Sequence, residues 1–292
     1  MLTLDLLKLI IQYLALTLLF TKKNYFICHK KHFNRKQTII LTKQILHNLN
    51  QKRQNKQKLL AVLIDPDSII NEAQLIQTCK LCNEAKVDLI LVGGSLITNG
   101  FWNKSISIIK SITEIPVLLF PGNIMQVHEE ADAILFLSMI SGRNPDLLIG
   151  KHVLAAPGLK KSGIEVIPTA YMIVDGGNIT SVMYMSNTTP IPADKNNIAV
   201  CTAMAGEMLG LKVMYMDAGS GANNPISTSM IQDVRNAIDL PLFIGGGIKN
   251  IDQALATANA GADVVVIGNA FEKNPELILA ISNAIHGVAS AN

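Results

Sequence analysis

Three stretches decide the fold: Met214-Tyr-Met-Asp-Ala-Gly-Ser-Gly-Ala222, Phe243-Ile-Gly-Gly-Gly-Ile-Lys249 and Val266-Ile-Gly-Asn-Ala270. Each is an apolar run that breaks into small residues, and only small residues let backbone amides close around a phosphate. The second and third stretches match the last two βα loops of a (β/α)8 barrel, where a phosphate docks against loop amides and a short helix N-terminus. A phosphorylated small molecule is therefore the first expected ligand.

Outward from these loops, β-rich runs recur at 60–64, 89–92, 117–120, 133–137, 165–168, 213–216, 242–244 and 264–267. Eight runs alternating with helical stretches predict an α/β fold, a (β/α)8 TIM-type barrel. Two intervals break the rhythm. Residues 121–132 are too few for a loop, a helix and a loop, so the barrel is expected to be modified around the third helix. Residues 169–197 are too many, and Tyr171 to Tyr184 reads as a hairpin around the turn Asp175-Gly-Gly-Asn178. Long insertions at the active face of a barrel tend to be functional.

The chain of 292 residues holds one such barrel with an excess at its start. Hydrophobic content of 49% and a mean hydropathy of +0.32 suit a sheet buried on both faces. The net charge of +3 conceals an asymmetry, because nearly half of the 25 Lys and Arg residues precede Leu59, where Asp5 is the only acid. Residues 1–57 are thus expected to form a basic, poorly patterned extension with a helix near Thr38 to Leu49, and 58–292 the barrel. The basic balance belongs to the extension, and no nucleic-acid partner is expected. Residues 4–20 are apolar but interrupted by Asp5, Lys8 and Gln12, which argues against a membrane span, and their charges follow the apolar part as a signal peptide's do not. Two readings stand: an amphipathic segment touching anionic lipid, or sequence upstream of the true start. Cys28, Cys79, Cys82 and Cys201 are scattered and do not form a disulfide framework, so a reduced, cytoplasmic enzyme is expected. The Cys79/Cys82 pair falls inside a helical pattern without a second pair to complete a zinc site.

Barrel chemistry sits at the C-terminal strand ends. A Schiff-base aldolase would place a lysine there, and none is found: Lys58 and Lys212 precede strands, and Lys249 lies beyond the glycines. Asp65 and Asp67 offer hard oxygen ligands of the kind Mg2+ accepts, or else an Asp-Pro turn capping the next helix. Ser95, after two glycines, is a cap or a ligand facing Asp65. Tyr215 and Asp217 alternate on one strand and share a face, so Asp217 is either a base for a hydroxyl beside the phosphate or a capping aspartate under a core tyrosine.

Leu63-Ile-Asp-Pro-Asp67, Leu91-Val-Gly-Gly-Ser95, Leu119-Phe-Pro-Gly-Asn123, Ala133-Ile-Leu-Phe-Leu-Ser-Met-Ile-Ser-Gly-Arg-Asn144, Glu165-Val-Ile-Pro-Thr-Ala-Tyr171, Ser186-Asn-Thr-Thr-Pro-Ile-Pro192 and Tyr215-Met-Asp-Ala-Gly-Ser-Gly-Ala222 together resemble the geranylgeranylglyceryl phosphate synthase family over residues 59–286. The resemblance implies a prenyltransferase that joins the C3 hydroxyl of sn-glycerol 1-phosphate to geranylgeranyl diphosphate, in a barrel whose third helix is replaced. It further implies Asp65 and Ser95 as Mg2+ ligands. Tyr215, Met216, Asp217, Ala218, Gly219, Ser220 and Gly221 would hold the glycerol phosphate, and Gly246, Gly247, Gly268 and Asn269 its phosphate, with Asp217 and Tyr215 catalytic. Asp217 stands where many family members carry glutamate, and Leu63-Ile64 lacks the basic residue of one archaeal branch. That places the chain nearer the branch with bacterial members. A homo-oligomer, dimer or hexamer, and peripheral membrane contact are also expected. The Met- and Ile-rich region 139–185 is a candidate wall for a prenyl tail, or plain core. The alternatives are a heptaprenylglyceryl phosphate synthase with a longer donor, a phosphosugar-handling barrel enzyme with a polar mouth, and a noncatalytic phosphate-binding or membrane-associated scaffold.

Overall fold

A computed structural model describes residues 44–98, 100–268, 270–271 and 274–288. Eight parallel strands close into a barrel in sequence order: β1 (Leu59–Ile64), β2 (Leu89–Val92), β3 (Val117–Leu119), β4 (Ala133–Met139), β5 (Glu165–Ile173), β6 (Val213–Asp217), β7 (Leu242–Gly245) and β8 (Val264–Ile267). β1 pairs with β8 through Leu59 opposite Val264, which completes the ring.

Strand alternation divides the core in two. Ala61, Leu91, Leu118, Leu135, Tyr215 and Phe243 fill the barrel interior, whereas Leu60, Val62, Ile90, Met214 and Met216 face the helices. The outer layer includes Cys79 and Cys82 on the Glu72–Glu84 helix. Burial pushes their thiols up to about 11 and about 12, so both act as small hydrophobes.

The floor of the barrel is closed by the Gln44–Gln54 helix. Leu49 is buried in the interior cluster, with Ile45 and Leu46 packed beside it. The first turn is held by a distant acid: Glu165, at the start of β5, accepts hydrogen bonds from Ile45 N (3.0 Å) and Leu46 N (3.1 Å). These orphan amides make a helix N-terminus a natural seat for a carboxylate. The compact unit accordingly runs from Ile45, upstream of the boundary expected at Lys58. Of the helix expected near Thr38 to Leu49, the described residues carry Gln44–Gln54, and residues 38–43 lie outside them. The remainder of the expected extension lies outside the described residues.

Between β3 and β4 there is no helix; residues 120–132 cross in turns and bends. The expected modification at the third helix is present. The expected hairpin is not. β5 continues through Pro168 to Ile173, and residues 181–186 coil into a short helix instead of pairing back. Pro168 lacks an amide hydrogen but is accommodated, its carbonyl still accepting from Lys212 N at 2.7 Å. The Asp175-Gly-Gly-Asn178 turn forms, but Asn178 bonds to the β6 loop, its Oδ1 accepting from Asn223 N at 2.8 Å.

Candidate active site

A cavity of about 940 Å³ opens at the C-terminal strand ends. Its polar end is built from the loops after β6, β7 and β8. Asp217, the last residue of β6, is buried and carries a donor on each oxygen: Gly219 N gives to Oδ1 at 2.7 Å and the Tyr171 hydroxyl gives to Oδ2 at 2.6 Å. Burial pushes the carboxyl above the usual range, and these two bonds pull it partly back. Tyr171 and Tyr215 face each other across β5 and β6, and both phenols are held well above their ordinary value by burial and by the Asp217 charge. Neither is a base, and Tyr171 serves as a hydrogen-bond donor. Tyr215 is clamped between Phe120 (5.0 Å, stacked) and Phe243 (5.9 Å, stacked).

The β7 loop reaches this carboxylate through a glycine. Gly246 has φ +80°, and a Cβ there would lie 2.6 Å from Gly219 N and 2.7 Å from Asp217 Oδ1. Lys249 Nζ ties the same loop to Asn223 O at 2.8 Å. Ser220, Gly221, Gly246, Gly247 and Gly268 all line the cavity. Met216 and Ala218 were expected to contact substrate, but their side chains face the helix layer, because they alternate with Tyr215 and Asp217. Asn269 lies outside the described residues.

Asp65 and Ser95 line the cavity on the opposite side. Gly94 crosses so close that a Cβ would come within 2.9 Å of both Asp65 oxygens, bringing the loop that bears Ser95 against the carboxylate. Burial raises the Asp65 carboxyl, while a hydrogen bond from Asp67 N lowers it and the Asp67 charge raises it. Asp67 itself turns to the β2 loop, accepting from Thr98 N (2.8 Å) and Thr98 Oγ1 (2.7 Å). No cluster of three His, Cys, Asp or Glu is found among the described residues. One carboxylate, a neighbouring hydroxyl and phosphate oxygens are a donor set that Mg2+ accepts.

The apolar arm of the cavity fills the space left by the third helix. It reaches the outer face of β4, where Ile134 and Phe136 meet Ala155 and Leu159 of the Lys151–Ser162 helix, and Val127 from the β3–β4 crossing lines it too. His152 packs edge-on against Phe136 at 4.4 Å and joins Ser138 Oγ at 3.3 Å, and burial lowers its basicity. Of the methionine-rich region, Met139 and Met185 reach the cavity. Tyr171, Phe136 and the crossing residues were missed as site residues; strand alternation on an extended β5 would have found Tyr171.

The sequence profile of the PcrB family matches residues 51–285. A geranylgeranylglyceryl phosphate synthase of Chitinophaga pinensis is 53% identical over 232 residues, 80% of this chain and 92% of that protein. One from Pyrococcus horikoshii is 41% identical over 223 residues, 76% of this chain and 87% of that protein. The fold superposes on the (S)-3-O-geranylgeranylglyceryl phosphate synthase of Thermoplasma acidophilum, solved in complex with substrate sn-glycerol-1-phosphate, with a TM-score of 0.79 and 30% identity. That match covers 83% of this chain and 98% of the other.

Proposed function

Because this chain belongs to the PcrB family and is an enzyme of the geranylgeranylglyceryl phosphate synthase kind, we propose that it joins the C3 hydroxyl of sn-glycerol 1-phosphate to C1 of geranylgeranyl diphosphate in a Mg2+-dependent reaction. The observation that carries this reading is a single cavity whose polar end is a glycine cradle with a buried carboxylate and whose other arm is apolar. A soluble phosphosugar would have no use for the arm over β4.

In this reading the loops after β6, β7 and β8 hold the glycerol phosphate by backbone amides, with its C3 hydroxyl beside Asp217. That carboxylate accepts the hydroxyl proton as the C3 oxygen bonds to the allylic carbon, and the bond to the diphosphate breaks with its electron pair leaving on the diphosphate. The elevated affinity of Asp217 for a proton suits it to accept one. Tyr171 keeps the acceptor oriented, and the stacked Tyr215 walls the site. Asp65 and Ser95 would hold Mg2+, which when bound neutralises the charge gathering on the departing diphosphate. The tail lies along Phe136, Ala155 and Leu159, out of water.

A homo-oligomer is part of the same reading, supported by the exposed stripe Ile198, Cys201, Met204 and Met208 on one face of the Asn196–Met208 helix. The test is incubation of the purified protein with Mg2+, labelled sn-glycerol 1-phosphate and prenyl diphosphates of graded length. Chromatography should find the C20 ether as the preferred product. Turnover of glycerol 3-phosphate at an equal rate, or absence of any prenylated product, would refute it.

A further inference from the structure

The mouth of the barrel is fringed with exposed apolar side chains. Ile70 follows β1, Leu96 follows β2, Met125 follows β3, Ile149 follows β4, and Ile179 and Tyr184 follow β5. Isolated exposed apolar residues are ordinary on any surface. Here, five successive loops each raise one on the same face, and Ile70 (86%), Met125 (80%), Ile179 (83%) and Tyr184 (80%) are almost wholly open to solvent.

The fringe is continuous with the cavity. Leu96, Ile124 and Met185 are each partly exposed and also line it, so an apolar track runs from the outermost loops down to Phe136 and Leu159. Among the described residues no helix is long and apolar enough to cross a membrane. Insertion of the loop tips is the contact that such a fringe offers. We infer that the barrel mouth docks on a lipid bilayer, with these loop tips entering the interface so that a prenyl donor passes from membrane to apolar arm without crossing water.

The energetics are adequate. Each aliphatic side chain moved from water into the acyl boundary contributes favourably by the apolar area it buries, and several acting together give reversible surface binding. A tyrosine such as Tyr184 suits that boundary, where an apolar ring and a polar hydroxyl are both satisfied. A second copy is the less fitting occupant, because seated on the mouth it would obstruct the route to the cavity, and the stripe on the Asn196–Met208 helix offers a copy a place on the flank. The identity of the donor and the choice of a bilayer over a second copy rest on the prenyl-transfer reading; flotation tests the docking by itself.

The experiment is flotation of the full chain with neutral phosphatidylcholine vesicles, which give basic segments no anionic partner. A variant carrying Ile70→Ser, Met125→Ser, Ile179→Ser and Tyr184→Ser, none of them in the cavity wall, is compared with wild type. Wild type should float with the vesicles, and the variant should partition at least roughly tenfold less. Its rate with water-soluble geranyl diphosphate should be unchanged, while its rate with vesicle-borne geranylgeranyl diphosphate falls. Equal flotation of the two proteins, or failure of wild type to float, overturns the inference. So does binding that needs phosphatidylglycerol and survives in the variant, which would assign it to basic groups. So does equal flotation with a changed sedimentation mass, which would assign the fringe to a second copy. If neither protein forms a prenylated product with any donor, the prenyl-transfer reading fails while flotation still decides the docking.

Discussion

The Tyr171 hydroxyl donates to Asp217 Oδ2 at 2.6 Å from the adjacent strand, while Tyr171 itself stands opposite Tyr215 in the β5–β6 register. The two-residue offset lets the longer side chain reach up the barrel to the acid at the strand end. The bond does two things. It fixes the carboxylate plane against Gly219 N, and it stabilises the ionised form that burial opposes.

Tyr171→Phe should therefore leave the barrel folded and raise the Asp217 carboxyl further above its ordinary range. Because the ionised form accepts the proton, the acid limb of the kcat/KM profile should move to higher pH, with a loss of about tenfold at neutral pH. An unchanged acid limb would reduce Tyr171 to a packing residue.

Gly246→Ala tests the contact between the β7 loop and the same acid. The added methyl would fall within 2.7 Å of Ala218 N and Asp217 Oδ1, at a φ of +80° that alanine disfavours. Relieving it must move either the loop or the carboxylate. The expected result is a destabilisation of about 1–3 kcal/mol by chemical denaturation, and a rise in KM for glycerol phosphate that exceeds any rise for the prenyl donor.

The barrel was legible because its strands are continuous apolar runs and its last three loops carry a glycine pattern with a physical purpose. The missing third helix was legible by length alone: residues 120–132 have no room for it. β5 was not fully legible. Pro168 reads as a strand end, yet the neighbouring strands hold it in register with Phe136, and the Asp175-Gly-Gly-Asn178 turn reads as a hairpin although its Asn178 side chain bonds to the β6 loop. Ending β5 early hid Tyr171, whose inward direction follows from alternation once the strand is extended. A helix near Leu49 was legible, but its place in the barrel floor was not, for a different reason. Its sequence is polar, with one buried side chain, Leu49, and its N-terminal partner Glu165 lies over a hundred residues away.

A chain beginning at Gln44 should accordingly be more stable than one beginning at Lys58. The shorter chain loses Leu49 from the interior, about 2 kcal/mol of burial, and leaves the Glu165 carboxylate without the Ile45 and Leu46 amides. Thermal melts of the two proteins decide it. Equal melting temperatures would mean that the helix only rests on the barrel.

Asp65→Asn should retain the fold, since amide and acid differ little in volume, and should raise the Mg2+ concentration required for half-maximal rate while lowering the maximum. Full activity at limiting Mg2+ would remove Asp65 from the metal site.

The sharpest expectation concerns Asp217 itself. Replacement by Asn removes the acceptor charge but keeps the shape, so the single-turnover rate at saturating prenyl donor should fall roughly 10²-fold or more, with little change in donor affinity. Stability should move the other way. A carboxyl raised by burial contributes stability that is fully present below the ordinary carboxylate range and is lost as pH rises through its elevated folded value. At neutral pH the Asn variant, free of that loss, should be at least as stable as wild type. Asp217→Glu, which restores the acid common in the family, should keep substantial activity. Finally, if Tyr171 acts through Asp217, adding Tyr171→Phe to Asp217→Asn should cost almost nothing more. Full additivity of the two losses would separate the residues and leave Tyr171 with a role of its own at the substrate.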